Sequence, residues 1–173
     1  MRLNNRTLTN PFIYQGYESP KYFCDREVET KTLLSHLKNG RNVTLISPRR
    51  IGKTGLIKNT FYHLKEQEKD ATCLYIDIFA TKNLHDFVEV LGVMVINEIV
   101  RKNASFIEKT ISFFSALRPV LSMDPLTGEP SVSITVEPSK EDITIQSIFN
   151  YLNDSEQEVY IAIDEFQQIA EYP

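Results

Sequence analysis

Apolar residues in this chain follow two patterns: short continuous runs, and longer stretches in which they recur every three or four positions. The continuous runs are residues 43–46, 73–79 and 159–163, and each has the β-prone composition of a strand. We expect 43–46 and 159–163 to be buried on both faces, as strands of a parallel sheet usually are. Helical stretches between the runs imply parallel crossover connections, so the pattern predicts an α/β fold.

The helical spacing predicts five helices, which cover residues 25–38, 53–68, 84–99, 106–117 and 145–152. Asp25 is expected to cap the first helix, and Gly40 is expected to end it in a left-handed conformation. Residues 1–24 contain several aromatic residues and prolines, and we expect an N-terminal arm that packs through its rings. Residues 25–173 then form the α/β core.

A strong turn sequence, DPLTG, occupies residues 124–128. Residues 120–123 precede it, and apolar residues alternate after it at Val132, Ile134 and Val136. This pattern predicts a β-hairpin inserted into the α/β frame.

Composition narrows the functional classes. The 173 residues, 42% of them hydrophobic, are enough for one domain with a substantial core, and the formal net charge of −4 gives no support for a nucleic-acid partner. Cys24 and Cys73 lack the spacing of a zinc site or a disulfide framework, which favours a reducing, cytoplasmic environment. The apolar stretch 87–100 contains two glutamates and is not expected to span a membrane.

A phosphate-binding motif follows the first predicted strand. Residues 47–54, SPRRIGKT, match the pattern GxxxxGK[ST] except that a serine replaces the first glycine. In such a loop, backbone N–H groups and a helix N-terminus point at a polyphosphate. Lys53 is then expected to reach the β- and γ-phosphates, and Thr54 is expected to bind magnesium. The residues expected to contact the nucleotide are Ser47, Pro48, Arg49, Arg50, Ile51, Gly52, Lys53, Thr54 and Gly55.

A bare GKT sequence would more often start an ordinary helix. The β-prone run before it and the amphipathic stretch after it favour phosphate binding instead. Arg49 and Arg50 lie on the loop itself. We expect at least one of them to face solvent or to form a structural ion pair. Neither is assigned a catalytic role.

Two carboxylates, Asp164 and Glu165, directly follow the run 159–163. They should lie at the carboxyl end of a strand, where α/β sheets bind ligands. Alone, this pattern is equally typical of a strand that leads into a capped helix. Downstream of a phosphate loop, we interpret Asp164 as a magnesium ligand together with Thr54, and Glu165 as the base that activates water. Lys53 and Glu165 are therefore the candidate catalytic residues.

Several segments together resemble the archaeal-type ATPase family of P-loop proteins, which is allied to the AAA+ and STAND groups. These segments are NPF at 10–12, the box FCDRE at 23–27, the loop SPRRIGKT, the strand LYIDIF at 74–79 and AIDEFQ at 162–167. The similarity covers nearly the whole chain. The family usually has glycine at the positions of Ser47 and Asp25.

The resemblance implies a P-loop NTPase fold: a three-layer αβα core with a parallel sheet, a Walker A loop at 47–54 and a Walker B strand that ends at Asp164. It also implies ATP and magnesium as ligands, and a homo-oligomer or a protein partner. By position, the box and the aromatic arm would cup the adenine, although helix capping and packing by the box remain an equal alternative.

In related ATPases a strand with a polar sensor residue comes after the Walker B strand in the sequence. In the sheet, this strand lies between the Walker B strand and the P-loop strand. The resemblance therefore implies that residues 1–173 lack the sensor, the arginine finger and the lid. We expect that a continuation of the chain, or a partner chain, supplies the missing strand. Hydrolysis by residues 1–173 alone is expected to be slow or nil.

The leading hypothesis is a magnesium-dependent ATPase whose hydrolysis drives or times a conformational change. The alternative is a nucleotide-gated signalling or scaffold switch with little turnover. A phosphoryl transferase is a third hypothesis, which the water-activating position of Glu165 disfavours.

Overall fold

The computed structural model describes residues 16–102, 117–123, 130–136, 140–155 and 157–173. Its helices and strands are, in chain order, α1 (Glu27–Lys38), α2 (Lys53–Gln67), β1 (Thr72–Asp77), α3 (Leu84–Lys102), β2 (Leu117–Met123), β3 (Pro130–Val136), α4 (Glu141–Asn153) and β4 (Val159–Asp164). Short 3-10 helices cover Pro20–Tyr22 and Phe166–Glu171. The chain divides into two compact units, Met1–Lys69 and Asp70–Pro173, which are described separately below.

The first unit is built on α1 and α2, which pack against each other. Leu33 of α1 and Leu56, Phe61 and Leu64 of α2 are its buried apolar residues. The predicted end of α1 is confirmed, because Gly40 has φ 65° and its N–H donates to the Leu37 carbonyl at 2.9 Å. The next N–H donates to the His36 carbonyl at 3.0 Å, which completes a Schellman motif.

The start of α1 differs from the prediction. The residue before the first helical turn is Arg26, and no side chain caps the helix. Asp25 has φ 60°, a left-handed conformation that aspartate tolerates better than most residues. Asp25 therefore turns the chain into the helix and does not cap it, so the predicted cap is wrong.

The predicted central strand at residues 43–46 is also wrong. The structure assigns no strand there, and the side chains of Val43 and Ile46 are 40% and 91% exposed. A strand is stable only when a neighbour satisfies its backbone groups. Among the described residues, none forms a ladder with this run.

The second unit is centred on β1 and β4, which pair in parallel from Thr72↔Val159 to Asp77↔Asp164. This pairing confirms that the run 159–163 forms a parallel strand, whereas the crossover expected between 43–46 and 73–79 is not formed, because residues 43–46 are not a strand. One face of β1 presents alternate apolar residues that join a core with α3 and α4. The buried members of this core are Leu74, Ile76, Ile78, Phe87, Val88, Leu91, Val95, Ile96, Val136, Ile148 and Leu152.

The burial of β4 is lower than predicted. All six of its residues are only partly buried, although the apolar run indicated a strand covered on both faces. One-sided pairing is not the reason, because within the described residues β1 also has a single strand neighbour and is largely buried. The difference is the helix cover, since α3 packs more extensively on β1 than on β4. The prediction of a parallel strand is confirmed and the prediction of full burial is wrong.

Two further strands, β2 and β3, pair antiparallel, with Leu117 opposite Val136 and Met123 opposite Pro130. The β3 strand packs on α3. The predicted turn at 124–128 lies outside the described residues, as does the predicted helix at 106–117 except for Leu117, which begins β2. None of the helices within the described ranges is long and apolar enough to cross a membrane.

A histidine links α3 to α4. The ring of His85 lies 3.3 Å from Oε1 of Glu89 on its own helix and 3.1 Å from Oε1 of Glu141 on α4. The same Glu89 oxygen accepts the backbone N–H of Val136 at 3.4 Å. These contacts tie the start of α4 and the end of β3 to one side of α3.

Candidate functional site

The loop before α2 contains two left-handed residues. Arg50 and Gly52 have φ 65° and 81°, while Ile51 between them is not in the positive-φ region. Left-handed residues that alternate with right-handed ones are a feature of anion-binding nests, in which successive backbone N–H groups face one concave side. A Cβ on Gly52 would meet no atom within 4 Å, so its backbone conformation, and not a steric clash, accounts for the glycine.

The amine of Lys53 lies across this loop. Its Nζ donates to the Ser47 carbonyl at 3.1 Å and to the Pro48 carbonyl at 3.4 Å. Lys53 is also the first residue of α2. The first turn of a helix has no acceptors of its own for its N–H groups and carries a partial positive charge. The structure thus brings a cation, a helix N-terminus and two left-handed loop residues together in the first unit.

Ser47 occupies the position of the first glycine in the motif. Its side-chain Oγ is buried and has no hydrogen-bond partner among the residues that the structure describes. A buried hydroxyl without a partner costs free energy, so this serine is a local destabilising feature of the loop. The neighbouring Pro48 and Arg49 are exposed.

Gly55, in the first turn of α2, is explained by packing. A Cβ at this position would lie 3.0 Å from Cε2 of Phe23. The Phe23 ring meets the ring of Tyr17 edge to face, with centroids 5.8 Å apart. The described end of the aromatic arm therefore packs on the helix that follows the phosphate loop, as the arm's ring content predicts.

A pocket of ≈ 340 Å³ lies beside the loop, within the first unit. Its walls are mainly apolar and come from α1, through Val28 and Leu33, and from Val43 and Leu45. Lys53 also lines this pocket. Of the 23–27 box, Arg26 lines this pocket, whereas Phe23 packs on Gly55.

The acidic pair lies in the second unit, at the carboxyl end of β4. Oδ2 of Asp164 accepts the Tyr75 hydroxyl at 2.7 Å, and Oδ1 accepts the Glu165 N–H at 3.0 Å. Tyr75 stands opposite Ala162 in the parallel ladder, so its side chain is on the same face of the sheet as Asp164. Glu165 accepts a hydrogen bond from Nε2 of Gln167.

Asp77, the partner of Asp164 in the ladder, performs a different task. Its Oδ1 accepts the N–H of Phe79 at 2.9 Å. This is an Asx turn that ends β1. The Asp77 carboxylate therefore satisfies the turn that follows β1.

The donor chemistry of the predicted metal ligands fits magnesium. A threonine hydroxyl and an aspartate carboxylate are hard oxygen donors, and magnesium in nucleotide sites is held by one or two such groups together with phosphates and water. Within the described residues, no three His, Cys, Asp or Glu side chains form a metal-binding group. A magnesium ion that arrives with a nucleotide does not need such a group.

Three non-glycine residues in the described ranges have positive φ: Asp25, Arg50 and Glu165. They lie in the 23–27 box, the phosphate loop and the acidic strand end, the three segments that the sequence indicated as functional. Left-handed conformations in non-glycine residues cost free energy and cluster at functional sites. The conformation also explains why aspartate is acceptable at position 25, where the family usually has glycine.

The predicted site residues thus fall into two groups. Residues 47–55 lie together in the first unit, and Asp164 and Glu165 lie together in the second. Sequence reasoning missed the contacts of Tyr75 and Arg26. For Tyr75 the period-two alternation of a strand was a partial signal, but only the register that places Asp77 opposite Asp164 puts Tyr75 on the face of Asp164.

Comparison with known proteins identifies one family. No curated protein and no solved structure matches the chain. A family model described as an ATPase domain predominantly from Archaea matches residues 23–172. The match includes the box, the phosphate loop and the acidic strand end, and membership indicates ATP binding and hydrolysis in general terms. The chain therefore belongs to the family of ATPase domains found predominantly in Archaea.

Proposed function

We propose that this protein binds ATP through residues 47–55 and hydrolyses it with magnesium, and that turnover drives or times a conformational change. The observation that carries the proposal is the loop geometry: positive φ at Arg50 and Gly52, with the Lys53 amine 3.1 Å from the Ser47 carbonyl, at the N-terminus of α2. A cation, a nest and a helix N-terminus combine to bind a polyphosphate.

The remaining roles follow from chemistry and family membership. Thr54 and Asp164 are the proposed magnesium ligands, and Glu165 is the proposed base for the attacking water. The hydrogen bonds on both Asp164 oxygens support its role, because they hold the carboxylate in one orientation. We propose that the protein acts in the cytoplasm. We also propose that it works as a homo-oligomer or with a protein partner.

Titration of MgATP into the full-length protein and its Lys53→Ala variant tests ATP binding. Lys65 lies in the last turn of the same helix and is exposed, so Lys65→Ala is a matched control for the lost charge. We expect Lys53→Ala to weaken ATP binding at least about tenfold, since a hydrogen-bonding cation is removed. Equal affinity of the wild type and Lys53→Ala would end the proposal.

One observation favours the alternative of a nucleotide-gated switch with little turnover. The Glu165 carboxylate accepts a hydrogen bond from Gln167, two residues along its own loop, and this contact competes with a bond to water. Glu165→Gln separates the two functions. A variant that binds ATP without turnover yet remains biologically active supports the switch, whereas loss of biological activity together with turnover supports the hydrolysis-driven change.

We also propose that the complete core has three αβα layers, that β2 and β3 are its inserted hairpin, and that a further strand pairs along β4. The partial burial of β4 and the exposed apolar residues at 43–46 support the further strand. Hydrogen exchange tests it. The β4 N–H groups that do not donate to β1 should exchange fast in residues 1–173 alone, and strong protection of these N–H groups would argue against an open edge on β4.

A further inference from the structure

An arginine outside the phosphate loop holds one of the loop's carbonyl groups. Nη2 of Arg26 donates to the Ile51 carbonyl at 2.7 Å, and Nη1 lies 3.2 Å from Oε1 of Glu29. The guanidinium is therefore fixed from two sides, by a carboxylate on α1 and by the loop backbone. Hydrogen bonds from a charged donor are stronger than neutral ones.

The held carbonyl controls the direction of an amide in the nest. The Ile51 carbonyl and the Gly52 N–H belong to one planar trans peptide, in which the two groups point in opposite directions. When Arg26 fixes the carbonyl, the Gly52 N–H is fixed toward the other side of the loop. The positive φ of Arg50 and Gly52 on either side makes this peptide the middle of the nest.

A chain of hydrogen bonds anchors Arg26 from behind. The Tyr17 hydroxyl donates to Oδ1 of Asn59 at 3.0 Å, and Nδ2 of Asn59 donates to Oγ1 of Thr30 at 3.2 Å. The Thr30 hydroxyl in turn donates to the Arg26 carbonyl at 2.7 Å. Asn59 and Thr30 are buried, so these bonds are costly to break. The chain connects the aromatic arm, α2 and α1 to the residue that holds the loop.

From this geometry we infer that Arg26 is a positioning residue for phosphate binding: it keeps the peptide between Ile51 and Gly52 turned so that the nest is formed before the nucleotide arrives. The inference rests on the proposed function of the loop as a phosphate site. It assigns the arginine of the 23–27 box to the polyphosphate end of the ligand and not to the base.

Binding of inorganic tripolyphosphate and of ATP to the full-length protein tests the inference, because tripolyphosphate has no base. We expect Arg26→Ala to weaken both ligands by the same factor, about tenfold, the range of a lost charged hydrogen bond. Arg41 is an exposed arginine just after α1, and Arg41→Ala is the control for the lost charge. Methylguanidine replaces the lost guanidinium, so adding it should restore part of the ligand affinity of Arg26→Ala. It should not change the ligand affinity of Arg41→Ala.

A threonine pair on α1 tests the anchor. Thr30 and Thr32 make the same bond to the carbonyl four residues earlier, at 2.7 and 2.8 Å, but Thr32 is exposed and outside the chain of hydrogen bonds. We expect Thr30→Val to weaken tripolyphosphate about threefold, the effect of a partly lost neutral hydrogen bond, and Thr32→Val to leave it unchanged. Equal effects of the two variants would contradict the anchor.

Hydrogen exchange without any ligand separates this inference from the proposed function. The amide of Leu56, which donates to the Gly52 carbonyl at 2.9 Å, should exchange faster in Arg26→Ala than in the wild type. Arg26→Gln replaces the alanine variant if that variant does not fold. Unchanged exchange, or a loss of ATP affinity with tripolyphosphate affinity intact, overturns the role of Arg26. If the wild type binds neither ligand, the proposed function fails, while the exchange result still decides whether Arg26 orders the loop.

Discussion

The hydroxyl of Tyr75 donates a 2.7 Å hydrogen bond to Oδ2 of Asp164, across the parallel pair formed by β1 and β4. The other carboxylate oxygen, Oδ1, accepts the backbone N–H of Glu165 at 3.0 Å. With one donor on each oxygen, the carboxylate cannot rotate without losing a bond. Tyr75 therefore fixes the orientation of the proposed magnesium ligand from a neighbouring strand.

Tyr75→Phe should raise the magnesium concentration that half-saturates ATP hydrolysis by about tenfold, because partners of metal-binding carboxylates contribute on that scale. Tyr172→Phe is the control, since it removes a tyrosine hydroxyl that is bonded to Thr81 elsewhere in the same unit. The control should lower thermal stability without changing the magnesium requirement. A Tyr75→Phe enzyme with the wild-type magnesium dependence would show that the bond has only a structural role.

The effect of a substitution at position 50 on ATP affinity should depend on the backbone preference of the new residue and not on its charge. Arg50 has φ 65°, which glycine adopts freely and β-branched residues adopt at a cost of about 1–2 kcal/mol. We expect Arg50→Gly to retain ATP binding and Arg50→Val to lose about tenfold or more, measured by calorimetric titration. Comparable losses in both variants would mean that the guanidinium, and not the nest geometry, is what position 50 contributes.

Gly55 and Phe23 should be energetically coupled. Ala is favoured over Gly in a helix by about 1 kcal/mol, but a Cβ at position 55 would lie 3.0 Å from the Phe23 ring. We expect Gly55→Ala to destabilise the wild type by about 1 kcal/mol through overpacking and to stabilise the Phe23→Leu variant by a similar amount. Urea unfolding of the four proteins in this double-mutant cycle measures the coupling, and simple additivity would contradict it.

Tyr17 should make the protein sensitive to alkaline pH. Burial, with a smaller contribution from Tyr62, raises the pKa of Tyr17 from the ordinary 10.0 to about 12. Because the folded state holds this proton more tightly than the unfolded state, the stabilisation is fully present below pH 10.0 and is lost as the pH rises toward about 12. Tyrosinate absorbance should show a late-titrating tyrosine that is absent in Tyr17→Phe and present in Tyr22→Phe.

Urea unfolding at increasing pH provides the second measurement. The wild type should lose stability more steeply than Tyr17→Phe between pH 10.0 and about 12. Parallel pH profiles for the two proteins would place Tyr17 in a solvated environment and contradict the buried bond to Asn59.

Local features of this chain were determined by the sequence alone. The end of α1 at Gly40, the start of α2 at Lys53 and the parallel strands that end at Asp77 and Asp164 follow from residue preferences and hydrophobic spacing over a few positions. The turn before α2 was predictable for the same reason, since residues 47–54, the left-handed Gly52 and the start of the helix are contiguous. Phosphate binding by this loop stays a prediction.

Features that depend on distant neighbours were decided only by the tertiary structure. Residues 43–46 have a strand-like composition but pair with none of the described residues. The strand β4 is only partly buried, whereas its neighbour β1, on which α3 packs, is largely buried. The bonds from Tyr75 to Asp164 and from Arg26 to Ile51 join residues 89 and 25 positions apart. Composition and periodicity describe one segment at a time, whereas burial and hydrogen-bond partners depend on which other segment lies beside it.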